Sequence, residues 1–165
     1  MLQRGISLLE MLIALIILLT LMALTQPVLN ELVHKYQASS YIQQFNRHLN
    51  YARVQATSSQ QAVRVCPAMA ELCSGHWQHD PVQLFLLTPS TDKATLLKEV
   101  PLPPQQHRLS YNRSQLQFRR DGSLDGLENG TFYYCPPARY QWHYRIVINQ
   151  AGRSRLNLHQ EACPL

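Results

Sequence analysis

The residues in this 165-residue chain most suited to chemistry lie between Trp142 and His159, in the run Trp-His-Tyr-Arg-Ile-Val-Ile-Asn-Gln-Ala-Gly-Arg-Ser-Arg-Leu-Asn-Leu-His. Reading Gln150-Ala151-Gly152 as a three-residue hairpin loop, closed by Gly152 in the left-handed conformation, fixes the pairing of the flanking strands. Asn149 then faces Arg153, Val147 faces Arg155, Arg145 faces Asn157, and His143 faces His159. Tyr144, Ile146, Ile148, Leu156 and Leu158 share the opposite, core-facing side. Loops of two or four residues would set Ile148 beside Arg153, so burial selects this register. The exposed ribbon is expected to carry Arg145, Arg153 and Arg155, flanked by His143, Asn149, Asn157 and His159, with no acid among them. Alternate residues on a strand stand about 6.6–6.8 Å apart, a spacing comparable to successive phosphates on one nucleic-acid strand. A guanidinium prefers planar anionic partners such as phosphate. The expected chemistry is contact with a nucleic-acid backbone without base reading; Tyr140 and Trp142 either stack on bases or, the commoner use of such rings, pack into the head.

Two other sets are weaker. Cys66, Cys73, His76 and His79 form C-x6-C-x2-H-x2-H, with ligand types that zinc favours, but the first gap is too long for the usual knuckle. His76, His79 and Asp80 lie close together, yet no nucleophile elbow, phosphate loop or metal box accompanies them. The sequence therefore points to a protein that is not an enzyme and needs no metal or cofactor.

Charge supports the first set. The net charge is +5. Residues 1–100 hold seven Lys and Arg against six acids, whereas residues 101–165 hold eight Arg, no Lys and four acids: Asp121, Asp125, Glu128 and Glu161. The excess lies in the C-terminal third and is entirely guanidinium.

The N-terminus poses a separate problem. From Ile6 to Leu24 the chain is membrane-length and apolar except for Glu10 and a few hydroxyls. A carboxylate there costs roughly 2.5–3.5 kcal/mol on insertion scales, so it needs a partner. A cleaved secretory signal fits poorly, because the run is too long and Ala23-Leu24-Thr25 is a poor cleavage box. A leader ending at Gly5, with a cut before Ile6, makes Glu10 the fifth residue of the mature chain. In this the chain resembles the type IV pilins, whose stems also carry a proline where this chain has Pro27. The resemblance implies that a prepilin peptidase cuts after Gly5 and methylates the new amine of Ile6. That amine can pair with Glu10 of a neighbouring subunit in the fibre, neutralising both charges at low dielectric. Arg4 faces the cytoplasm by the positive-inside rule. The expected location is a single pass of the inner membrane with its lipid, a head in the periplasm, and an extracellular pilus after assembly.

After Pro27, Ala38, Ile42, Phe45, Leu49, Ala52 and Ala56 recur at spacings of 4, 3, 4, 3 and 4, one apolar stripe of a helix. The expected organisation is a leader at 1–5, a helix at 6–57 (transmembrane at 6–28, packed on the head at 29–57) and a β-rich head at 58–165. From Gln61 the period becomes two, predicting strands at 62–66, 82–87, 95–100, 108–111, 115–119, 131–135, 140–149 and 153–159. A long helix on antiparallel strands gives an α+β fold. Four cysteines outside the cytoplasm read as disulfides with three possible connectivities. Spacing favours Cys66–Cys73 and Cys135–Cys163, closing loops worth about 2.5 and 3.5 kcal/mol in the chain-entropy model.

A second resemblance covers nearly the whole chain. Cys66-Pro67, Cys73, Trp77, Leu116-x-Phe118-x-Arg120-Asp-Gly122, Gly130-Thr131-Phe132 running to Cys135, Gly152-Arg-Ser-Arg155 and Cys163 look like the FimT/GspH group of minor pilins. Within it, Gly-Arg-x-Arg resembles the element with which FimT proteins bind DNA in natural transformation. This implies a minor pilin that takes up double-stranded DNA through Arg145, Gly152, Arg153 and Arg155, with other pilins as fibre partners. The alternative is a structural minor pilin, or a GspH-like pseudopilin of type II secretion, that primes fibre assembly without touching DNA.

Overall fold

The computed structural model describes residues 8–69, 72–88 and 93–165. The processing residues Gly5 and Ile6 lie outside the described residues. In chain order the elements are α1 (Leu8–Ser59), β1 (Ala62–Met69), β2 (Leu72–Cys73), β3 (Val82–Thr88), β4 (Lys93–Val100), β5 (Arg108–Tyr111), β6 (Leu116–Phe118), β7 (Gly130–Cys135), β8 (His143–Ile148) and β9 (Ser154–His159). Two compact units divide the chain, one up to Tyr36 and one from Gln37 to Leu165.

The first unit is the start of α1. Its apolar side chains, including Leu12, Ile16 and Leu19, are exposed all round, the pattern of a helix whose solvent is lipid rather than water. The helix is long and apolar enough to cross a membrane. Glu10 sits in its first turn, and Pro27 lies inside it, where the ring removes one backbone hydrogen bond.

The second unit is an α+β head. Burial on α1 begins at Ala38, and Ile42, Phe45, Leu49, Ala52 and Ala56 follow it into the core. Each large apolar member of that stripe contributes about 1.5–3 kcal/mol by leaving water. Gln60 ends the helix in the left-handed conformation, with φ of 56°. Two antiparallel sheets surround the stripe. One runs β2-β1-β3-β4, with β6 also paired to β1; the other runs β5-β7-β8-β9. Rings lock helix to sheet: Phe45 meets Phe132 edge-on with centroids 5.1 Å apart, and Tyr41 stacks on Tyr134 at 5.2 Å.

Both disulfides form, Cys66–Cys73 and Cys135–Cys163. The sulfurs of Cys66 and Cys73 are therefore not open to a metal. Two strand expectations need revision. The two-residue β2 pairs with the end of β1 where a loop was expected. The strand expected at 140–149 is His143–Ile148, because a turn in which Tyr140 N–H bonds the Pro137 carbonyl takes up its first residues.

Candidate nucleic-acid interface

The β8–β9 hairpin has the register that the sequence dictates. His143 faces His159, Arg145 faces Asn157, and Val147 faces Arg155. Asn149 closes the loop: its N–H donates to the Arg153 carbonyl at 3.1 Å, its carbonyl accepts from Gly152 N–H at 2.9 Å, and its side-chain oxygen accepts from Arg153 N–H at 3.0 Å. Gly152 is left-handed, with φ of 71°, a conformation that costs other residues roughly 1–2 kcal/mol. Its environment is tighter still. A Cβ on Gly152 would stand 2.1 Å from the backbone oxygen of Gly122. Gly152 thus positions the ribbon through a backbone contact.

That contact joins the hairpin loop to a second turn, residues 119–124. Gln150 reinforces it from both directions: its carbonyl accepts from Leu124 N–H at 2.9 Å, and its side-chain amide donates to the carbonyls of Leu124 and Gly126 at 2.8 Å each. The helix adds two further ties. Arg53 Nε donates to the Gly122 carbonyl at 3.1 Å, and Ser154 Oγ donates to Asn46 Oδ1 at 2.6 Å. The sequence marks Gln150 as a loop residue and Gly122 as part of a family motif, but says nothing of their contact, and it gives Arg53 no role.

β9 is the outer strand of its sheet. Arg155 and Asn157 are exposed along it and Arg153 just before it; with Val147, Asn149 and Ser154 they line an open hollow of about 550 Å³. Neither arginine makes an ion pair among the described residues.

Arg145 differs, and here the expectation of an acid-free face fails. Its guanidinium pairs with Glu161 at 2.5 Å, while Nε donates to His143 Nε2 at 2.8 Å. The cause is the Cys135–Cys163 disulfide, which fastens the tail beyond β9 and brings Glu161 over the start of the ribbon. His143, expected at the exposed margin, is fully buried. Its Nδ1 lies 3.1 Å from the Glu161 carbonyl. Because Nε2 accepts from Arg145 and the Glu161 carbonyl can only accept, the ring proton is assigned to Nδ1. Trp142 is 2 % exposed and takes the packed alternative, as part of the core, whereas Leu158, expected in the core, is 46 % exposed.

A helical stem leading into an antiparallel, disulfide-bonded head is the architecture of pilins. A family model described as "Type II transport protein GspH" matches residues 42–152, and the chain belongs to this family, as a type IV minor pilin of the GspH/FimT group. Comparison with curated proteins gives no match. Among solved structures, the type IV minor pilin FimU of Pseudomonas aeruginosa is similar at 21% identity and a TM-score of 0.61, over 77% of this chain and 96% of that one. The minor pseudopilin EpsH from the type 2 secretion system of Vibrio cholerae is similar at 15% identity and a TM-score of 0.57, over 73% of this chain and 96% of that one. The family and these neighbours are pilins rather than enzymes. Membership and the apolar helix together fit a membrane-anchored protein with a periplasmic head.

Proposed function

We propose that this minor pilin binds double-stranded DNA non-specifically through its β8–β9 ribbon, as part of DNA uptake in natural transformation. The observation that carries the reading is the pair Arg153 and Arg155, exposed two residues apart at the start of an outer strand without an acidic partner among the described residues. Gly152 sets their position, and Arg145 is a reserve contact held by Glu161. Arg153 and Arg155 alone, neutralising about two phosphates, contribute about −1.8 to the slope of log affinity against log salt, and a single subunit binds in the roughly 10⁻⁴–10⁻⁶ M range of non-specific contacts. Several subunits on one fibre raise that by avidity.

The remaining parts of the reading concern assembly. The prepilin peptidase cuts between Gly5 and Ile6, the protein rests in inner-membrane lipid, and Glu10 then pairs with the amine of Ile6 on a neighbouring pilin. A second reading is a fibre-priming pseudopilin that contacts protein only. The ion pair that occupies Arg145 favours it, because it reduces the free charge of the ribbon.

The test is duplex binding by full-length protein in detergent. Arg153→Glu with Arg155→Glu should abolish binding, and Glu161→Gln should tighten it several-fold by releasing Arg145. Unchanged binding by the double variant overturns the DNA reading and leaves the priming role.

A further inference from the structure

The ribbon is not the only cationic surface at this end of the head. Residues 119–122 form a tight turn in which Gly122 N–H donates to the Arg119 carbonyl at 2.8 Å and Arg119 N–H to the Ser123 carbonyl at 2.7 Å. Arg119 and Arg120 are exposed on it, and neither makes an ion pair among the described residues. The one acid in the turn, Asp121, directs an oxygen into the turn, accepting from Ser123 N–H at 2.9 Å and Ser123 Oγ at 2.6 Å. Those two bonds hold its carboxyl below the usual range.

Resting on the DNA reading above, we infer that Arg119 and Arg120 are a second phosphate-contacting arm, held in fixed register with Arg153 and Arg155 by the contact between Gly122 and Gly152. The register follows from chain geometry. Arg120 is two residues from Gly122, Arg153 is next to Gly152, and the two glycines touch. At 3.80 Å between successive Cα atoms, the Cα atoms of Arg120 and Arg153 are at most roughly 18 Å apart. Four guanidinium groups can therefore follow a few consecutive phosphates of one duplex. Gln150 and Arg53 keep the two turns from separating. A bidentate surface of this kind gains affinity because its geometry is set before DNA arrives.

The experiment measures binding of full-length protein in detergent to a fluorescent 20-base-pair duplex at 50 and 200 mM salt. With about four phosphates contacted, the affinity of the unaltered protein should fall about 150-fold between the two salts. Arg119→Gln with Arg120→Gln should fall only about 12-fold, as for two contacts, and the corresponding Arg153→Gln, Arg155→Gln variant should do the same. Replacing Arg119 and Arg120 by Lys should retain the steep dependence, which a purely structural role of the turn would not. A 119/120 Gln variant with the salt dependence of the unaltered protein, beside a 153/155 variant that loses it, overturns the second arm and leaves the ribbon intact. Failure of the unaltered protein to bind overturns both.

Discussion

Substituting alanine for three left-handed glycines in turn separates backbone strain from collision, because the three sites share a conformation but differ in surroundings. Gly126 has φ of 48° and nothing within 4 Å of an added Cβ. Gly126→Ala therefore meets only the cost of the left-handed region, about 1–2 kcal/mol. Gly122 has φ of 80°, and its Cβ would meet Thr57 Cγ2 at 2.9 Å and Arg53 Nε at 3.3 Å. Thr57 is β-branched and stiff at χ1, so Gly122→Ala adds about 1 kcal/mol for displacing it. Gly152 has φ of 71°, and its Cβ would stand 2.1 Å from the Gly122 carbonyl oxygen. Neither backbone can yield without separating the two turns, which threatens the Leu124–Gln150 and Gln150–Gly126 hydrogen bonds. At about 0.5–1.5 kcal/mol per bond, Gly152→Ala should cost about 2–5 kcal/mol in all. Denaturant unfolding of the oxidised protein, followed by the near-ultraviolet signal of Trp77 and Trp142, reads out the order 152, then 122, then 126. Equal losses at 152 and 126 would refute the argument that the two turns are in backbone contact.

Two further outcomes follow. His48 is buried, and desolvation first, then Lys98 and Arg47, hold its pKa below the usual value. The unfolded chain takes up that proton as pH falls below about 6.5 while the folded head does not, so stability falls with pH in that range. His48→Gln should flatten this decline in melting temperature between pH 7.5 and 5.5, and an unchanged decline would assign it elsewhere. Glu10→Gln should prevent incorporation into filaments, scored as protein in the sheared-fibre fraction, and normal incorporation would rule out pairing with a neighbouring amine.

The sequence reveals those features whose determinants are local. The helix stripe from Ala38 to Ala56 is legible because a 3.6-residue period survives six apolar positions. The ribbon register is legible because a one-residue slip would bury an arginine, and because Gly152 marks the loop. What depends on distant parts of the chain is not legible. Nothing near Arg145 signals that Glu161 will cover it; a disulfide from a different strand brings that acid there. Gly122 and Gly152 are separated by 30 positions, and only the fold puts one against the other. Leu158 alternates correctly for the core face, but alternation does not say how far along a strand the covering layer extends. The two-residue β2 is too short to leave a periodic trace.

The placement of β9 has a mechanical consequence. A pull directed along β9 would run parallel to the strand, whereas the β8–β9 hydrogen bonds run across it. All six residue pairs from His143–His159 to Ile148–Ser154 resist such shear together, rather than parting one after another as in a zipper. Ser154 and Gly122 pass part of the load directly to Asn46 and Arg53 of the stem helix. A pull on the hairpin is thus shared with the helix that carries the core stripe of the head.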